Sequence, residues 1–318
     1  MHRQGIHNAL YHFGMMVAAL SLIACSHTDD IAPVTDGNSI RFGVAVSADG
    51  QQPSGAKATR AMITGSELPK NNFNVWGGYD GNTVFDGRTV YWIAEDYQGW
   101  TYDNPEQWVY KTYRFYAVYP ATVGVIYTTA PNTLTIANYN VNTHPDVDLL
   151  MAEVSSHVYP NDGATVKLNF KHALAAVKFA FRLNEDFSYT NTYKATAIQW
   201  SNVYTQGQFA LNGSGDIHAT ATGILGIANA ITTFTGTAFT AASAMESDYQ
   251  FVIPQAQANA TLTFTLDING ESREVVKTIP VDWEVGKRYT YNITLDPFEI
   301  TIETTPWEIP EIGDIIVQ

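Results

Sequence analysis

Apolar and polar side chains alternate with a period of two along most of this sequence, which restricts the chain to sheet architectures. Ile40, Phe42, Val44 and Val46 alternate with smaller or polar residues, as do Tyr113, Phe115, Ala117 and Tyr119, and then Val166, Leu168 and Phe170. Val177, Phe179, Phe181 and Leu183 repeat the pattern. Leu262, Phe264, Leu266 and Ile268 follow, and Tyr289, Tyr291, Ile293 and Leu295 close the series. Successive side chains of a strand point to opposite faces, so each run supplies one apolar face. Turn dipeptides such as Asp80-Gly81, Asp86-Gly87, Asp162-Gly163, Asn212-Gly213 and Asn269-Gly270 separate the runs. No helical stripe is sustained; the best candidates, residues 222–231 and 241–245, are short. The expected class is all-β, an antiparallel β-sandwich.

One sandwich takes roughly 100 residues, so two in series fit a chain of 318. Pro160-Asn161-Asp162-Gly163 is the clearest break. Strands before it are rich in Trp and Tyr, and those after it in Ala, Thr and Phe. The expected division is an N-terminal domain over 39–165 and a C-terminal domain over 166–318, with a tail at 298–318.

The N-terminus reads as a secretory signal over residues 1–24. Arg3 precedes a mostly apolar stretch, and Leu22-Ile23-Ala24-Cys25 has the layout of a lipoprotein cleavage box. Cys25 is the only cysteine, which makes it the expected lipidation site and excludes an internal disulfide. Lipid on Cys25 would be the chain's only attachment to a membrane. Residues 25–38 are polar and read as a lipid-proximal tether. The formal charge is −14 and 45% of residues are hydrophobic. That balance disfavours nucleic acid and anionic surfaces and leaves stability to packing.

Candidate chemistry is thin, and no catalytic, cofactor or metal site is expected. His144-Pro145-Asp146-Val147-Asp148 gathers an imidazole and two carboxylates, but a calcium loop needs more oxygens and a glycine turn. His172 reads as a hydrogen-bonded structural histidine. Glu95-Asp96 and Glu185-Asp186 are adjacent in sequence, which does not make a glycosidase pair across a cleft. The set Trp76, Tyr79, Tyr91, Trp92, Trp100, Tyr102, Trp108 and Tyr110 could stack on sugars if exposed, although large rings more often pack cores. A surface lipoprotein that binds glycan and never polymerises is therefore the alternative reading.

Two features point to assembly. Lys57-Ala58-Thr59-Arg60-Ala61 places an Arg among small residues in a polar stretch, a suitable target for an Arg-specific protease cutting between Arg60 and Ala61. The cut would release the lipid anchor together with the strand carrying Ile40, Phe42, Val44 and Val46, and another chain's strand could fill the vacated groove. The tail carries Trp307, Ile309, Ile312, Ile315 and Val317, the candidate donor residues. It could donate a strand to another subunit or fold back on its own sandwich.

The chain resembles the fimbrillin family of Bacteroidales, subunits of protease-processed type V pili. The resemblance rests on features in fixed order. They begin with the box at Cys25, Ile40-Arg41-Phe42, Ala58-Thr59-Arg60-Ala61 and Phe73-Asn74-Val75-Trp76-Gly77. Tyr113-Arg114-Phe115-Tyr116-Ala117, Asp148-Leu149-Leu150-Met151-Ala152 and Leu168-Asn169-Phe170-Lys171-His172 follow. Phe251-Val252-Ile253-Pro254-Gln255 and Trp283-Glu284-Val285-Gly286-Lys287 complete them. Asp29-Asp30 also looks like the acidic signal that sends such lipoproteins to the cell surface. The resemblance implies two transthyretin-like sandwich domains, outer-membrane export, cleavage after Arg60 and polymerisation by strand exchange. The implied partners are other pilus subunits and the protease, with a host or bacterial glycan or protein as adhesion ligand.

Overall fold

The structure is a computed structural model, and it describes residues 38–46, 71–94, 99–128, 132–185, 191–296 and 300–307. Every regular element among the described residues is a strand. In chain order these are β1 (Arg41–Val46), β2 (Phe73–Tyr79), β3 (Asn82–Ile93), β4 (Gly99–Thr101), β5 (Thr112–Tyr119), β6 (Ile126–Thr128), β7 (Thr133–Asn140), β8 (Leu150–Val158), β9 (Thr165–His172) and β10 (Ala175–Leu183). Then come β11 (Tyr193–Leu211), β12 (His218–Ile227), β13 (Phe234–Thr235), β14 (Met245–Ser247), β15 (Gln250–Val252), β16 (Gln255–Ile268), β17 (Glu271–Trp283), β18 (Arg288–Leu295) and β19 (Ile300–Trp307).

They form three sheets. The first has the order β1-β9-β8-β5-β2-β3-β4, the second β13-β14-β10-β18-β19 with β15 also on β10, and the third β17-β16-β11-β7-β6 with β12 also on β11. The pairings β1–β9 and β10–β18 are parallel; the hairpins and meanders around them are antiparallel. The weak helical candidates are corrected: 222–227 lies in β12, and Met245 opens β14. The ladder to β11 runs Gly207–Ala221, Gln208–Thr220 and Phe209–Ala219, and these cross-strand bonds win over a short, glycine-interrupted helical pattern.

Three cores follow from the strand faces. The first lies on one face of the first sheet, around Phe73, Phe85, Phe115 and Phe170. The second fills the space between the second and third sheets, around Phe179, Phe181, Trp200, Phe264, Trp283 and Tyr291. A third joins the other face of the first sheet (Trp76, Tyr116, Val118, Met151) to Leu134, Ile136, Phe209 and Leu211 of the third sheet. This explains why β5 is apolar on both faces: Phe115 and Ala117 enter the first core, while Tyr116 and Val118 enter the joining one.

The joining core ties the two halves of the sequence together. β7, from the first half, pairs with β11 from the second. The expected break at 165/166 falls at the first residue of β9, whose partners are β1 and β8, so the first sheet runs through His172.

Candidate strand-exchange groove

β1 occupies a slot at the edge of the first sheet. Arg41 faces solvent, while Phe42, Val44 and Val46 are buried, as is Ile40 just before it; the small Ala45 of the opposite face is covered as well. The register runs from Arg41 opposite Thr165 to Val46 opposite Phe170. β9 pairs with β8 only at Leu150–His172 and Met151–Lys171. β1 is therefore the ladder partner for most of β9, and its departure would leave those backbone groups unpaired.

The inward side chains fill the first core. The Phe42 ring meets Phe85, Tyr102 and Phe115 at centroid distances of 5.4, 5.7 and 5.9 Å, inside the range of favourable aromatic pairs. Complete burial of Ile40, Phe42, Val44 and Val46 contributes about 1.5–3 kcal/mol each before entropy.

The entry to the slot is closed by backbone and side-chain hydrogen bonds from the segment after β4. The Ile40 amide donates to the Glu106 carbonyl at 2.8 Å, and the Trp108 amide donates to the Asn38 carbonyl at 2.9 Å. The Tyr102 hydroxyl donates to the Ile40 carbonyl at 2.8 Å and accepts from the Glu106 amide at 3.2 Å. Burial pushes the Tyr102 phenol up to about 12, so it stays a neutral donor. Arg88 of β3 fixes this segment in turn. It donates to the carbonyls of Asp103 and Asn104, each at 3.0 Å, and pairs with Glu106 at 3.1 Å. Trp108 completes the closure: its indole N–H donates to the Ala164 carbonyl at 3.1 Å, while its ring stacks on His157 and Tyr159.

β19 is the edge of the second sheet. It runs antiparallel to β18, with Ile302 opposite Ile293 and Trp307 opposite Arg288. Ile300 and Ile302 pack on the second core. The donor candidate Trp307 is thus the last residue of β19 in the monomer. The candidates Ile309, Ile312, Ile315 and Val317 lie outside the described residues, as do Cys25, Arg60 and Ala61.

The other sequence candidates separate in space. Asp148 is buried and bonds His172 Nδ1 at 2.9 Å, whereas His144 is exposed and bonds the Asn140 carbonyl. Of the aromatic set, Trp76, Trp100, Tyr102 and Trp108 are buried and only Tyr110 is largely exposed. Those rings build cores and close the β1 slot; they do not form an outward platform. Glu95, Asp96 and Asp186 lie outside the described residues. Sequence reasoning missed the Arg88–Glu106–Tyr102 closure. Its one legible trace is the short spacing of polar and aromatic residues from Trp100 to Trp108, which pattern alone assigns to packing.

A family model described as fimbrillin-like matches residues 59–309, so β1 lies upstream of the matched span. Among solved structures, a fimbrial protein from Bacteroides vulgatus superposes with a TM-score of 0.59 at 14% identity, covering 85% of this chain and 99% of that one. A candidate cell adhesion protein from Bacteroides uniformis gives 0.55 at 16% identity, covering 86% and 99%. Another from Bacteroides ovatus gives 0.52 at 14% identity, covering 86% and 98%. These likenesses establish the fold. No curated protein matches the sequence. The family match extends over most of the chain, which therefore belongs to the fimbrillin-like family of structural, pilus-subunit-like proteins.

Proposed function

We propose that this chain is a shaft-, tip- or anchor-type pilus subunit that assembles by exchanging β1 for a strand of another subunit. It is exported as a lipoprotein on Cys25, reaches the outer membrane and is cut by an Arg-specific protease between Arg60 and Ala61. The cut leaves Ile40, Phe42, Val44 and Val46 on a fragment joined to the rest only by non-covalent contacts. A neighbour's tail then replaces them, with Trp307, Ile309, Ile312, Ile315 and Val317 as the apolar residues available to fill the groove.

The observation that carries this reading is the placement of β1. It is an edge strand with a single ladder partner, yet it supplies a wall of the first core. A replacement must be extended, apolar on one face and at least as long as β1. Residues 308–318 reach roughly 36 Å at about 3.3 Å per residue, against roughly 20 Å for the six residues of β1. They can therefore span the slot while β19 stays on its own sheet as far as Pro306, with Trp307 released from Arg288.

Protease treatment of the purified protein tests the reading. Treated protein is expected to form fibres by size-exclusion chromatography and electron microscopy, and protein lacking 308–318 is expected to remain a folded monomer. Fibres formed equally well without 308–318 would contradict it.

A further inference from the structure

β12 is an edge strand without the usual protection. It pairs with β11 along one side, and no described strand pairs with its other side. Exposed edges are ordinarily blunted by charge, proline or shortness. The other described strands with a single partner follow that rule. β17 carries Glu271, Arg273, Glu274, Lys277 and Pro280, and β19 carries Glu303 and Pro306. β4, β6, β13 and β15 have three residues or fewer, and the entry to β1 is closed by the segment after β4. β12, over His218–Ile227, contains no Asp, Glu, Lys, Arg or Pro.

The strands beside it are nearly free of charge as well. Residues 195–245 contain a single Asp, Glu, Lys or Arg, namely Asp216, and residues 115–145 contain none. Those spans supply β12, most of β11, β6 and β7, which lie together in the third sheet. Asp216 itself is engaged by Lys171 at 3.2 Å. In a chain of formal charge −14 this is a neutral patch.

A bulge gives the patch its apolar ridge. Two residues of β12, Gly223 and Ile224, stand opposite Thr205 of β11, between the pairs Gln206–Thr222 and Tyr204–Leu225. Gly223 supplies the positive φ, 84°, that such a kink favours. Bulges often turn an edge away from partners, but this one carries an isoleucine outward. Ile224 is 87% exposed, with Leu225 at 40% and Ile227 at 59% beside it. Asn142 holds the far end of the strand. Its side-chain amide donates to the Ile227 carbonyl at 2.8 Å, and its side-chain oxygen accepts the Asn229 amide at 3.0 Å. The ridge is therefore fixed by the fold before anything docks on it.

We propose that β12 is a self-association surface, on which β12 of a second copy docks antiparallel about a two-fold axis. Copies of an acidic chain repel one another over most of their surface, so approach costs least at the neutral patch. Self-pairing of this strand sets no like charges opposite each other, because the strand has none. The unpaired amides and carbonyls of the two edges satisfy one another, and Ile224, Leu225 and Ile227 are withdrawn from water. A basic partner would instead find its complement on the acidic faces. The contact uses neither the β1 slot nor the tail, so it joins subunits side by side and stands independently of strand exchange.

Sedimentation of the purified uncut protein, which keeps β1 in place, tests the proposal. Concentration-dependent dimers are expected. They should tighten as sodium chloride is raised from about 0.05 to about 0.5 M, because the repulsion is screened. Amide exchange over 218–227 should slow as the dimer forms. Ile224→Lys should weaken the dimer by about tenfold or more with circular dichroism unchanged. That variant lowers the net negative charge, so general repulsion does not account for the loss. Val276→Lys, at a comparably exposed apolar position on β17, should leave the dimer intact. Protein that stays monomeric at about 1 mM would overturn the proposal, as would dimers that added salt weakens. Dimers that Ile224→Lys leaves unchanged, that both lysine variants weaken equally, or that leave exchange over 218–227 as it was would overturn the assignment to β12.

Discussion

The hydroxyl of Tyr102 donates to the backbone carbonyl of Ile40 at 2.8 Å, across 62 positions of sequence. This bond joins the segment after β4 to the residue that leads into β1. The carbonyl is buried with Ile40 itself. Tyr102→Phe removes the donor and keeps the ring against Phe42 and Phe85. It is expected to cost about 1–2 kcal/mol, read as a lower denaturant midpoint with an unchanged slope. It should also speed loss of the N-terminal fragment after cleavage at Arg60.

Alkaline pH provides a second handle. Burial raises the phenols of Tyr102, Tyr116 and Tyr291 to about 12 from an ordinary value of 10.0. The folded state therefore holds these protons where the unfolded state has released them. Their contribution is fully present below pH 10 and is lost as pH rises through about 12. Stability should fall across that window. The tyrosinate absorbance of these three buried phenols should appear together with unfolding, and Tyr102→Phe should flatten the slope.

Phe42→Ala separates the unprocessed and assembled states. In the uncut chain the substitution empties a site ringed by Phe85, Tyr102 and Phe115 and should cost about 3–5 kcal/mol. In fibres built from cut subunits Phe42 is gone, so their thermal stability should match that of the parent protein. Calorimetry on both forms makes the comparison.

The buried Asp148–His172 pair is a structural bond, and its removal should behave as one. Asp148→Ala strands the imidazole in the interior and is expected to destabilise the chain by about 1–3 kcal/mol. Assembly of the protein that remains folded should be unaffected, as fibre yield normalised to folded subunit would report.

The strands were legible because their inward faces repeat: 166–170, 177–183, 262–268 and 289–295 all appear where alternation puts them. Pairing was not legible. Alternation says which face is apolar but not which strand lies alongside, so the parallel neighbours β1–β9 and β10–β18 and the passage of β7 into the third sheet leave no local mark. The slot shows the same limit. Ile40, Phe42, Val44 and Val46 were visible as an apolar face, but the closure by Arg88, Tyr102 and Glu106 depends on contacts across tens of residues.

Intact-mass spectrometry of subunits dissociated from native surface fibres tests the central claim most directly. The account predicts chains that begin at Ala61, with no trace of Ile40, Phe42, Val44 or Val46. Fibre subunits that begin at a lipid-bearing Cys25 and retain those residues would contradict it.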